Sequence, residues 1–193
     1  MSEISSEKVK LLDILENSGR VIIPRYQRSY SWEIENVSEL WEDILTVIFD
    51  KNREHFSGAL IFCDSSSDDR NNEKCSFEIV DGQQRLVSLT ILLRAMYDNL
   101  DPKTGLAADI YDHIEQGRYE EKRYFKLVLG ESDKDFFKLF IQDKDRPHQN
   151  KRGKVKSHKR IVSAYNYFDS EIKKLVEEKN VIRTNSWESC LKN

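Results

Sequence analysis

From Gln83 to about Leu100 the chain carries Leu86, Val87, Leu89, Ile91, Leu92 and Leu93 with no polar face of any width. A helix apolar nearly all round lies buried in the middle of a domain. The run before it, 77–80, is β-prone, and Asp81-Gly82 breaks it. A strand is thus expected to turn tightly into a central helix, which Asp101-Pro102 stops. Upstream, Ser5 or Ser6 can cap a first helix with Val9, Leu12 and Leu15 on one face, ended by Gly19. A short strand at 21–23 leads to Pro24. Val37, Leu40, Trp41, Ile44, Leu45 and Ile48 then recur at helical spacing over 33–50, with Trp41 in the core and the acids on a solvated face. A strand at 56–62 containing Gly58 is expected to pair with 77–80 as a hairpin across a mobile, Ser- and Asp-rich loop at 64–74.

Beyond the central helix the pattern predicts a helix at 107–116, a strand at 124–129 and a short helix capped by Ser132. A polar connection follows, then a long helix at 158–179 with Ile161, Tyr165, Phe168, Ile172, Leu175 and Val176 inward. Strands followed by helices indicate an α+β chain: a core over 1–103 and a helical subdomain over 104–193.

Composition narrows the function classes. The 193 residues carry 34% charged and 38% hydrophobic side chains, enough apolar residues for a core. A formal net charge of -3 argues against a wholly basic nucleic-acid coat. Cys63, Cys75 and Cys190 share no metal-type spacing and suit a reducing cytoplasm. No apolar run is long enough to span a bilayer. His55, His113, His148 and His158 form no metal or nucleophile motif, and there is no GxxxxGK[ST] loop.

Two stretches carry candidate chemistry. Gly82, Gln83 and Gln84 offer backbone N–H groups at a helix start, where an anion is favoured. Arg85 in that first turn opposes the helix dipole unless an anion shares the site, which suggests a phosphate. The alternative is structural: Asp81 caps the helix, Gly82 makes the turn and Arg85 pairs with an acid. In the second stretch Arg25, Gln27 and Arg28 alternate with Tyr26, Tyr30 and Trp32. Arginines can clamp phosphates and aromatics can stack on a base; alternatively, the aromatics pack and the arginines are solvated. A third, weaker feature is the basic run Lys151, Arg152, Lys154, Lys156, Lys159 and Arg160, which reads as a solvated loop or as a DNA-backbone contact.

Asp81-Gly82-Gln83-Gln84-Arg85 resembles the DGQQR motif of the bacterial family typified by the N-terminal domain of GmrSD-type modification-dependent restriction enzymes. Ile23-Pro24-Arg25-Tyr26-Gln27-Arg28-Ser29-Tyr30-Ser31-Trp32 is similar to its IPxYQRxYxW motif, and 55–61 to its intervening strand. The resemblance covers about residues 5–180. It implies a ParB/sulfiredoxin-like small mixed sheet with a central buried helix. It also implies binding and hydrolysis of a nucleoside triphosphate, with Mg²⁺, in partnership with a nuclease domain or subunit of a defence system.

On that expectation Arg85 and the Gly82, Gln83 and Gln84 amides hold phosphates, with Gln27, Arg28 and Gly58 approaching. Tyr26, Tyr30 or Trp32 contacts base or sugar. Asp81 serves as general base or orients water and Mg²⁺. The chain is expected to be a cytoplasmic fragment that ends before a further C-terminal domain and does not cut DNA alone. The rival reading is a non-catalytic DNA-binding or regulatory module using the same basic residues on DNA phosphates.

Overall fold

A computed structural model describes residues 20–49, 60–64, 76–116, 124–145 and 153–179. The expected first helix, Gly58, most of the 64–74 loop, Cys75, Cys190, Lys151 and Arg152 lie outside these residues. The strands are β1 (Arg20–Ile22), β2 (Ile61–Asp64), β3 (Ser76–Asp81), β4 (Glu115–Gln116), β5 (Tyr124–Phe125) and β6 (Leu127–Val128). The helices are α1 (Ile34–Phe49), α2 (Gln83–Asp98), α3 (Gly105–Asp112), α4 (Glu131–Phe137) and α5 (Lys156–Lys179). A π-helical turn, Lys138–Gln142, continues α4.

The main sheet is mixed, in the order β2-β3-β1-β6. β1 runs parallel to both β3 and β6, and β2 pairs antiparallel with β3, as expected for a hairpin. Val21, Ile79 and Leu127, one from each parallel strand, are buried. β6 comes from beyond residue 104, so the second half of the chain contributes a strand to the core sheet. The strand expected at 124–129 is two pieces: β5 pairs with β4, while β6 joins β1 through Val21 N–H to Lys126 O at 2.7 Å and Ile23 N–H to Val128 O at 2.8 Å.

α2 is the buried centre, covered from Gln83 to Tyr97 except at Arg85. It packs against α5, which buries Ile161, Ala164, Phe168 and Ile172. Trp41 on α1 is in the core and meets Phe168 with ring centroids 6.1 Å apart. The polar residues of α2 are buried too, because each has somewhere to bond. Ser88 and Thr90 donate to the carbonyls of Gln84 and Leu86 one turn back. Arg94, only 2% exposed, pairs with Asp98 at 3.0 Å and donates to the carbonyls of Ile141 and Asp143, holding the end of the π-turn. Ser132 does not cap α4 as expected. Gly130 holds the N-cap position, and the Ser132 hydroxyl is engaged with Ser29 instead.

Leu92, 5% exposed on α2, tests the centrality of this helix. Leu92→Ala is expected to lower stability by roughly 2–5 kcal/mol in denaturant titration; unchanged stability would show that α2 is not the packing centre.

Candidate functional site

The three parallel strands end side by side, and each leads into one wall of the same cavity. β1 runs into the 23–30 loop, β3 into the start of α2, and β6 into Leu129 to Asp133. The cavity is about 260 Å³ and is lined by parts of all three segments. The carboxyl ends of parallel strands are where open sheets place their ligands, because helix starts and loops converge there. Ile23, Val87 and Leu129 are buried wall residues that make part of the lining apolar.

The turn from β3 to α2 is built around Gly82, whose φ of 86° lies in the left-handed region that favours glycine. Asp81 accepts the Gly82 N–H at 2.8 Å through Oδ1, and α2 has no side-chain cap. The Gly82 amide is therefore spent locally, while Gln83 and Gln84 lie in the first turn, where amides lack an intrahelical carbonyl.

The facing loop is pinned by side chains that sequence reading had marked for ligand contact. Gln27 Nε2 donates to Val80 O at 2.8 Å, fixing the loop to the end of β3. Gln84 accepts from Ser31 N–H at 2.7 Å and donates to Ser29 O. Tyr30 is buried, with its hydroxyl 2.8 Å from Ser88 Oγ. Its backbone N–H donates to Asp133 at 3.0 Å. Asp133, 2% exposed, also accepts from Ser157 Oγ at 2.6 Å, and His158 Nε2 lies 3.6 Å away. Asp133 was not foreseen; a lone acid in a short helix gives no sequence signal.

The cavity thus brings together Gln27, Arg28, Tyr30, Gln83 and Gln84 from the two motifs. Arg25 and Ser29 of the same loop also line it, and it adds Glu131, Ser132 and Asp133 from outside the motifs. Asp81, Gly82, Arg85, Tyr26 and Trp32 are not on its wall. Tyr26 is 75% exposed, and Trp32 packs against the core. Arg85 is partly buried, and neither it nor Arg28 has an ion-pair partner among the described residues. Arg25 pairs with Glu131 at 3.2 Å, both exposed.

The basic run divides. Lys154, Lys156 and Lys159 are exposed, with Lys156 3.9 Å from Glu33. Arg160 donates to Glu33, and that bond holds the Glu33 carboxyl below its ordinary range and raises Arg160. Among the described residues no group of three or more His, Cys, Asp or Glu could hold a metal. No described helix is long and apolar enough to cross a membrane.

A mixed sheet whose parallel strands end at a cleft over a buried helix start defines an α+β domain. The family described as GmrSD restriction endonuclease, N-terminal domain, matches residues 11–189, nearly the whole chain, and the chain belongs to it. It is therefore a domain of the restriction-defence class. A search of curated proteins finds no match.

Burial pushes the Tyr30 phenol up to about 12 from 10.0, against smaller downward pulls from Ser88 and Arg160. The folded state thus keeps a proton that the unfolded chain gives up first. This stability is fully present below pH 10 and is lost as pH rises through about 12. Tyr30→Phe is expected to lower stability by about 0.5–1.5 kcal/mol at neutral pH. It should also flatten the alkaline decline in melting temperature; an unchanged alkaline slope would place the titration elsewhere.

Proposed function

We propose that this domain binds and hydrolyses a nucleoside triphosphate and serves as the regulatory part of a restriction system whose cutting is done by a nuclease domain or subunit. One observation carries the reading: the cavity at the parallel strand ends joins Gln27 and Arg28 to Gln83 and Gln84, so both motif stretches share one cleft. A ParB/sulfiredoxin-like layout, with a nucleotide at the strand-to-helix turn, agrees with that position.

Phosphates would meet Arg28, which is exposed and has no described ion-pair partner, and Arg25, whose pairing with Glu131 is solvent-exposed and weak. Tyr26, exposed in the same loop, is free to lie on a base or sugar. Arg85 and Asp81 sit in the motif but off the cavity wall, so their part would be to shape the turn or meet phosphates beyond its mouth.

Mg²⁺ needs only one or two carboxylates when nucleotide phosphates supply the other ligands. Glu131 is the exposed carboxylate on the cavity wall able to meet a nucleotide-borne ion. Asp133 has its oxygens committed to the loop and to α5. Water activation would therefore fall to Glu131 or Asp81. The alternative, a DNA-binding module, would draw on Lys154, Lys156 and Lys159 but not readily on Arg160, which Glu33 holds.

Arg28→Ala is expected to weaken nucleotide binding by about 1.5–3 kcal/mol, the range for a hydrogen bond to a charged group. The melting temperature should hold, because the Arg28 side chain is exposed. Calorimetric titration of the wild type and the variant with the four nucleoside triphosphates, with and without Mg²⁺, tests this. Steeply salt-dependent DNA affinity with no nucleotide binding would favour the DNA module instead.

A further inference from the structure

Buried polar atoms without partners are rare, and each needs an explanation. Among the described residues the side-chain atoms in this position are Oε1 of Gln83, Nε of Arg94, Nδ1 of His158 and Nε of Arg160. Arg94 Nε faces Asp98 at 3.0 Å, and the Arg160 and His158 side chains are engaged through their other nitrogens. None of these three lines the cavity, whereas Gln83 does.

Gln83 is only 6% exposed. Its Nε2 donates to Arg28 O at 3.3 Å. A carbonyl can only accept, so flipping the amide would set oxygen against oxygen. The orientation is thus fixed by chemistry, and the group left over is an acceptor. Burial takes it out of water, and no donor among the described residues replaces that contact. The bond that holds the amide is long, and the last torsion of a glutamine is soft, so a small rotation can offer Oε1 to a ligand.

We propose that Gln83 Oε1 accepts a hydrogen bond from an N–H of a nucleobase seated in the cavity, and so sets which base the domain takes. The inference rests on the nucleotide reading above. Ile23, Val87 and Leu129 give the cavity an apolar surface suited to the face of a base. At about 260 Å³ it lies just below the roughly 300–1,000 Å³ that takes a whole drug-sized ligand. The base therefore fits inside and the phosphates extend outward. Arg25 and Arg28, both exposed, are on the wall to meet them.

Gln84 differs, because both atoms of its amide already bond to the loop. Gln27 also donates through its amide nitrogen, to β3, but it is only half-buried and its oxygen is not among the buried atoms without a partner. Gln83 is the motif glutamine whose buried oxygen is left for a ligand.

The test pairs a change in the ligand with a change in the protein. Affinities are measured by calorimetry for ATP, GTP, CTP and UTP, and for the triphosphates of purine riboside and pyrimidin-2-one riboside, whose bases carry no N–H donor. Inorganic triphosphate and the 2′-deoxy form of the best binder complete the set. The wild type is expected to bind its preferred nucleotide at least about ten-fold tighter than the donor-free counterpart. Gln83→Met, similar in length and without the acceptor, should shrink that gap to about two-fold or less, with a smaller loss in inorganic triphosphate affinity from losing the bond to Arg28 O.

A wild type with no gap would overturn the proposal while leaving nucleotide binding intact, and this arm stands even if the variant fails to fold. A gap that survives in Gln83→Met would assign base reading to another residue and overturn it too. So would equal losses for nucleotide and inorganic triphosphate, or a Gln83-dependent gap between ribose and 2′-deoxyribose in place of the base effect. Failure of every nucleoside triphosphate to bind the wild type would remove the nucleotide reading itself, and this inference with it.

Discussion

A buried carboxylate holds the walls of the cleft together. Asp133 accepts from the backbone of the 23–30 loop at Tyr30 and from the first turns of α5 at Ser157, with His158 close by. A carboxyl group this buried is tolerated only when its oxygens are met by donors. Here the donors come from segments distant in sequence. Satisfying one carboxylate therefore fixes the loop, α4 and α5 relative to each other. The adjacent Ser29 and Ser132 hydroxyls, 2.8 Å apart, extend that junction toward the surface.

With the frame fixed, the polar side chains of the cleft divide into those that build it and those left to act. Gln27, Gln84 and Tyr30 bond to β3, to the loop and to Ser88, and so hold the loop over the start of α2. This is the common outcome for polar groups near a core: burial is costly without a partner, so partners are found within the fold. Arg28 and Gln83 Oε1 depart from it. One is an exposed cation without a described ion-pair partner, and the other is a buried acceptor with no donor among the described residues. A site retains such groups at some cost in stability when a ligand completes them.

Much of the fold was legible in the sequence because it depends on periodicity. The apolar wrap of α2, the helical spacing of α1 and α5, and the strand before Asp81-Gly82 all follow from side chains that must be buried. What was not legible depends on pairing between distant segments. Nothing in Leu127-Val128 announces that it lies beside Val21 rather than continuing β5. Ser132 has the chemistry of a cap, but its hydroxyl meets Ser29, a hundred residues earlier. The burial of Arg94 inside an apolar helix depends on carbonyls at Ile141 and Asp143 that no local pattern reveals. The two motif stretches pointed to a shared site. Which members line the cavity was decided by the turn at Gly82: it leaves Asp81 and Arg85 off the wall and sets Gln83 and Gln84 on it.

The distribution of charge around the cleft follows the same division. The chain is acidic overall, and several of its cations are already committed. Arg160 is bound to Glu33 and Arg94 to Asp98. Arg25 is committed only to Glu131, on the surface, where water screens the pair and an exposed bridge contributes about 0–1 kcal/mol. Exchanging that carboxylate for a phosphate costs little, since one anion replaces another on the same guanidinium and Glu131 returns to solvent. Arg28, close by in the same loop, has no such exchange to make. A cleft in a negatively charged protein can in this way attract an anion, provided an unpaired cation and an easily exchanged one sit on one short loop that the buried glutamines and Asp133 hold in place.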